Sequence, residues 1–187
     1  MELSFTDDFL QILGFSRDEA LRTGWHNIGV DHIMLAILRH SGNEACHVLE
    51  SSGVDPTAFK CHIDEAVFAE DAVSWEERDM IHFCDSALGM LQHAAIEASR
   101  CGASSTGPLH FLLAVCRMSG SYSHDYLDEC GVSLRALVEA SGLPWSRYGL
   151  ETGTPINEAA APDPRIMAAA IEKRLLQGYT IDNPLVS

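Results

Sequence analysis

Glu19-Ala20-Leu21-Arg22-Thr23-Gly24-Trp25-His26-Asn27-Ile28-Gly29-Val30-Asp31-His32-Ile33-Met34-Leu35-Ala36 decides the fold, because a diverged copy of it begins 78 residues later. The copy starts Glu97-Ala98-Ser99-Arg100-Cys101-Gly102 and ends Gly107-Pro108-Leu109-His110-Phe111-Leu112-Leu113-Ala114. Slid by that interval, residues 5–63 align with 83–141 without a gap, and 19 of the 59 pairs are identical. Average composition gives about 4 by chance. The matches include Glu19/Glu97, Arg22/Arg100, Gly24/Gly102, Gly29/Gly107, His32/His110 and Arg39/Arg117. The chain is a tandem duplication.

Each copy reads as four helices. In residues 6–23 the apolar positions Phe9, Ile12, Leu13, Ala20 and Leu21 recur at the spacing of a one-sided helix. Gly24 ends it, as glycine does just past a helix C-terminus, and Gly102 repeats the stop. Residues 31–40 follow, with a core from Ile33 to Leu38 that is apolar all round. A helix with no polar face is buried on every side, so this one is central to the repeat. Residues 44–52 form a third helix closed by Gly53, and Asp55-Pro56 opens a fourth with Asp as N-cap and Pro at N1. No stretch alternates long enough to build a sheet. The predicted fold is all-α: two tandem, pseudo-symmetric four-helix repeats (about 5–67 and 83–142) in a domain spanning 1–148. Residues 149–187 read as a linker, rich in Thr, Ala and Pro over 151–164, and a tail with one helix at 165–177. Ile166, Ala170 and Leu175 mark the face by which that helix docks on its own core. The acidic stretch 70–80 between the repeats reads as a solvated connector.

The composition narrows the function. Among 187 residues, 12 Lys+Arg stand against 27 Asp+Glu, for a formal net charge of −15. Broad cationic patches for nucleic acid or an anionic membrane are excluded, and the acidity of the repeats favours basic protein segments as partners. No apolar run reaches the ~18 residues of a membrane helix, and the N-terminus lacks a cationic leader start, so a cytoplasmic protein is expected. The six cysteines form no CxxC, and several stand in apolar runs where a thiol behaves as a small hydrophobe. Cys46-His47, Cys61-His62 and His82-Phe83-Cys84 are too closely spaced to ligate one ion together, so neither metal nor cofactor is expected. No G-x-S-x-G, H-E-x-x-H or phosphate-cradling glycine loop with its lysine occurs, and no catalytic residue is assigned.

The first copy, from Phe15 through Leu35, resembles the signature of the Clp N-terminal repeat, and the turn Leu49-Glu50-Ser51-Ser52-Gly53-Val54-Asp55 is similar to that family's as well. The resemblance covers about residues 5–142. It implies the all-α double repeat found at the N-terminus of ClpA- and ClpC-type unfoldases, where such domains receive substrates and adaptors for an ATPase ring. Without a nucleotide-binding motif, the chain is expected to be a receptor domain free of its motor.

In ClpC-type domains that this chain resembles, an acid at the positions of Asp31 and Leu109 helps bind phosphoarginine. Here Asp31 keeps a shortened acid, Val30 replaces a threonine, and Pro108-Leu109 removes hydroxyl and carboxylate from the second copy. A first-turn Asp also serves simply to stabilise a helix dipole. Trp25, Tyr122 and Tyr126 join Asp31, Val30 and Leu109 as candidate partner- or peptide-binding residues, since Trp and Tyr anchor interfaces efficiently. His32 and His110 are assigned a structural role, each fixing the entry of a buried helix, together with Gly24, Gly102, Gly29 and Gly107. The function expected is a non-enzymatic protein- or peptide-binding module, an adaptor or accessory factor whose partners are a Clp ATPase, protease subunit, adaptor protein or substrate peptide. The alternative is a ligand- or metal-sensing regulator built on the same fold.

Overall fold

A computed structural model describes residues 4–149 and 164–178. The first repeat comprises α1 (Asp7–Thr23), α2 (Val30–Arg39), α3 (Glu44–Ser51) and α4 (Pro56–Val67). The second comprises α5 (Asp85–Arg100), α6 (Pro108–Arg117), α7 (Tyr122–Glu129) and α8 (Leu134–Ala140). The all-α double repeat is therefore the observed architecture. Its cause is local: Gly24 caps α1 at φ +85°, Gly102 follows α5 at φ +70°, and Asp55 and Pro56 open α4. A Cβ at Gly24 would run into the Asp71 carbonyl oxygen, so glycine is required there for space as well as for its backbone angle.

The two apolar helices are the centre of the molecule. Ile33 through Ile37 of α2, and Phe111 through Val115 of α6, are fully buried. Within each repeat the first helix packs on the second, α1 on α2 and α5 on α6. Between repeats, α2 lies against α5 and α7, α3 against α6, and α4 against α7. One apolar core thus runs through both halves.

Two short pairings cross the seam. Asn27–Ile28 (β1) runs parallel to His82–Phe83 (β2), with Ile28 opposite Phe83. Phe5 bridges Thr106 in the same sense. These two pairs are one contact repeated at the 78-residue interval: each repeat lends its leading segment to the loop of the other. The expectation of no sheet is corrected to this extent, and two-residue strands are too short for alternation to register in the sequence.

Each repeat also buries one glutamate. Glu19 is 1% exposed, 2.7 Å from Arg22 Nη2 and 2.8 Å from Arg39 Nη1. Glu97, also 1% exposed, meets Arg100 Nη1 at 2.6 Å and Arg117 Nε at 2.7 Å and accepts a hydrogen bond from the Tyr148 hydroxyl. Burying a carboxyl group is costly unless it is paired to this degree. All six residues of the two ion triads belong to the identical pairs of the duplication.

The connector and the tail depart from expectation. Residues Trp75–Met80 form a 3₁₀ turn, and Arg78 Nε lies 2.6 Å from Asp18 Oδ1 on α1, with its guanidinium 5.5 Å from the Trp75 ring centre. The connector is therefore anchored, although Glu70, Asp71, Glu76 and Asp79 remain exposed. The tail helix, α9 (Pro164–Gly178), does dock on α5 and α1, but by Ile171, which is 1% exposed, flanked by half-buried Ala168. Ile166 is 67% exposed and Ala170 is exposed, so the docking face is rotated from the one expected. Glu172 Oε1, 2.6 Å from His82 Nδ1, ties the helix to β2. Residues 151–163 of the linker and the Leu175 side chain lie outside the described residues.

Candidate functional site

The first turn of α2 forms the floor of a cleft on the seam between the repeats. Its volume is about 270 Å³, and Trp25, Val30, Asp31, His32, Val67 and Tyr122 are among the residues lining it. Trp25 is placed by the loop after Gly24, and its indole N–H donates to the Val67 carbonyl at 2.6 Å, so the ring stands as a fixed wall, 47% exposed. Tyr122, at the start of α7 and 49% exposed, supplies a second aromatic surface. Four of the six contact candidates thus meet at one place: Trp25, Val30, Asp31 and Tyr122.

Asp31 has a partner that its position in the chain does not announce. Its Oδ1 accepts from the Ser123 N–H at 2.8 Å and the Ser123 hydroxyl at 2.5 Å, and Oδ2 accepts from the Tyr122 N–H at 3.3 Å. The carboxylate of one repeat therefore caps the N-terminal turn of α7 in the other, where orphan amides and the helix dipole favour negative charge. The Asp31 carboxylate already holds three donors, which leaves it a poor clamp for an incoming guanidinium.

His32 and His110 perform the same local task in the two repeats. The Gly29 N–H donates to His32 Nδ1 at 2.9 Å, and the Gly107 N–H donates to His110 Nδ1 at 2.9 Å. Burial lowers both imidazoles from the ordinary 6.5 to about 4, and neighbouring Arg22 pushes His32 the same way. Both rings are neutral at pH 7. Because Nδ1 is an acceptor, the proton resides on Nε2. In His32 that Nε2 is buried and has no hydrogen-bond partner. A buried donor left in this state costs about 1–3 kcal/mol.

Leu109 and Tyr126 stand apart from the cleft. Leu109 is 4% exposed and belongs to the core, so its side chain offers nothing to a partner. Tyr126 is partly buried, stacked on Phe59 with ring centres 4.6 Å apart, and serves the contact between α4 and α7. An aromatic in a short helix gives no sequence signal of which side it takes. Val30 lines the cleft from below while being only 8% exposed. Sequence reasoning missed Val67, whose backbone carbonyl orients Trp25, and Ser123, the counterpart of Asp31; neither sits in a pattern that betrays a long-range contact.

The thiols also differ from expectation in part. Cys46 is buried, but Cys61, on α4, and Cys130, just past the end of α7, are exposed. Desolvation pushes Cys101 up to about 12 and Cys116 to about 11, so neither supplies a thiolate at neutral pH. Among the described residues no three His, Cys, Asp or Glu side chains converge on a metal position, and no helix is long and apolar enough to cross a membrane.

Comparison with known proteins decides the family. The sequence model of the Clp repeat (R) N-terminal domain matches residues 4–138. The chain belongs to the Clp repeat N-terminal domain family. The ClpB chaperone of Oceanobacillus iheyensis is 28% identical over 130 residues, which cover 70% of this chain and 16% of that protein. The negative regulator of genetic competence ClpC/MecB of Bacillus subtilis matches to the same extent. This Clp repeat chain therefore spans about a sixth of the length of those relatives. Among solved structures, the N-terminal domain of ClpD from Arabidopsis thaliana superposes with a TM-score of 0.55 at 17% identity, covering 73% of this chain and 94% of that one. A chain from structural work on a malarial protein secretion system gives 0.64 at 14% identity, covering 74% and 92%. At these identities the structural matches establish the shared fold. Tyr148 and α9 lie outside the matched Clp repeat segment.

Proposed function

We propose that this Clp repeat chain is a non-enzymatic protein-binding module, an adaptor or accessory factor that presents substrates or adaptors to a Clp ATPase or protease. Membership of the family carries the reading, because double repeats of this kind in ClpA- and ClpC-type unfoldases are receptors for clients. The convergence of Trp25, Val30, Asp31 and Tyr122 supports the seam cleft as the contact surface. His32 and His110, lowered to about 4 and with Nδ1 held by a glycine amide, are weak bases, and Cys101 and Cys116 stay protonated at pH 7, which supports a binding rather than a catalytic role. Phosphoarginine is a poor fit for the cleft, since Asp31 is already engaged by α7. No observation favours the sensing alternative.

The test is binding of the purified chain to purified Clp ATPase, protease subunit and adaptor from the same cell. Micromolar binding to one of them, weakened by Trp25→Ala or Tyr122→Ala, is the expected result. Failure to bind any Clp component, with the chain shown to be folded, overturns the reading.

A further inference from the structure

Three of the six exposed large apolar side chains among the described residues, Phe68, Trp75 and Met80, lie between the end of α4 and β2, at 64%, 68% and 63% exposure. A segment that only joins two repeats has no use for them, since exposed Trp, Phe and Met add nothing to folding and invite association. The segment is also held in shape. Its start is pinned to the end of α1, where the Ala69 N–H donates to the Thr23 carbonyl at 2.9 Å. In the 3₁₀ turn the Ser74 hydroxyl accepts from the Glu76 N–H at 3.4 Å, and Glu77 Oε2 accepts from the Ser74 N–H at 3.2 Å. Arg78, only 16% exposed and bonded to Asp18, lies against the Trp75 ring. An indole fixed on a guanidinium in this way loses little freedom when a partner covers it, which suits it to anchor an interface.

Charge names the occupant. Glu70, Asp71, Glu76 and Asp79 are exposed on the same segment, and its single base, Arg78, is engaged by Asp18. A second copy of the chain would bring the same acids, on a formal net charge of −15, against them. Nucleic acid and anionic membranes are repelled for the same reason. What is complementary is a protein surface that carries Lys and Arg around an apolar pocket of indole size.

We infer that the connector is a second docking surface: Trp75 enters a pocket of a basic protein surface, while Glu70, Asp71, Glu76 and Asp79 meet the cations at its rim. The surface is separate from the seam cleft, which is lined as far as Val67 but by none of residues 68–80. The inference rests on the adaptor reading, and the basic surface belongs to the Clp component to which the chain attaches.

The full chain and its variants are titrated by biolayer interferometry, at low and high salt, against purified Clp ATPase, protease subunit and adaptor from the same cell. Trp75→Ser is expected to weaken binding of the responding component about tenfold. Glu70→Lys/Glu76→Lys, which leaves the bond from Arg78 to Asp18 in place, is expected to weaken it several-fold at low salt and less at high salt. Equal binding by Trp75→Ser and wild type overturns the inference, as does undiminished binding by the charge-reversed variant. Circular dichroism establishes the fold of each variant; should Trp75→Ser fail to fold, the charge-reversed variant decides. A wild-type dimer seen by light scattering and lost in Trp75→Ser would give the surface to a second copy and overturn the inference. Binding lost in Trp25→Ala but kept in Trp75→Ser overturns it and leaves the adaptor reading standing; no binding of the folded wild-type chain to any component removes both.

Discussion

His32 and His110 make the molecule sensitive to mild acid. Each is neutral in the folded state with a value near 4, against about 6.5 when unfolded. Between those values the unfolded chain binds the extra protons, so stability is unaffected above about pH 6.5 and falls as pH drops toward 4. The shift corresponds to about 3 kcal/mol for each imidazole at the bottom of the window. His40, also lowered by burial, acts in the same sense. Asp64, lowered through its bonds to Lys60 and Arg22, adds a loss only at lower pH still. Urea denaturation at pH 7 and pH 5 should show the drop, and the double variant His32→Asn/His110→Asn should flatten it. Asp31 belongs to the same scale. Asp31→Ala removes three bonds to the α7 turn and should cost about 1–2 kcal/mol, read by urea denaturation, with faster amide exchange confined to the start of α7. The imidazole pair was visible in the sequence because it was duplicated. The tie between Asp31 and Ser123 was not, since the corresponding Leu109 breaks the repetition and nothing local links residues 92 positions apart.

At the scale of elements, two additions beyond the matched segment complete the double repeat. Tyr148 closes over Glu97 and Arg117, donating to the former and accepting from the latter at 2.6 Å. Burial, together with the Glu97 carboxylate that it bonds, raises the Tyr148 hydroxyl to about 12, so it stays a donor through the neutral range. Tyr148→Phe should lower stability by about 1–3 kcal/mol, measured by thermal or urea unfolding, because the buried Glu97 carboxyl then has one donor fewer. The second addition is α9, whose Ile171 is fully buried against the core and whose Glu172 pairs with His82. Ile171→Ala should release the helix before it disturbs the core: amide exchange across 164–178 rises while α2 and α6 keep their protection. The helices of the repeats were legible from apolar spacing and glycine stops. The face by which α9 docks was not, because Ile166, Ala170 and Ile171 are all small or apolar and a short alanine-rich helix offers several equivalent stripes.

For the whole molecule, the duplication explains why so much of the architecture could be read from one chain. Residues that recur at the 78-residue interval turn out to be the buried ion triads, the imidazole caps and the glycine stops, which are the parts each repeat needs to fold. Part of the cleft lies where the copies diverge: Trp25, Asp31 and Tyr122 face Ala103, Leu109 and Glu44 in the alignment, while Gly29 and His32 keep their counterparts. The reciprocal pairing of Ile28 with Phe83 and of Phe5 with Thr106 has a further result. Either repeat would find the same partner surface on a neighbouring chain, so only the connector makes the exchange internal. Its length, and the anchoring of Arg78 on Asp18, hold the two halves of one chain together. Deleting residues 70–74 should therefore yield an intertwined dimer with native helical content, detected by light scattering after gel filtration. A monomer from that deletion would show that the connector has slack to spare.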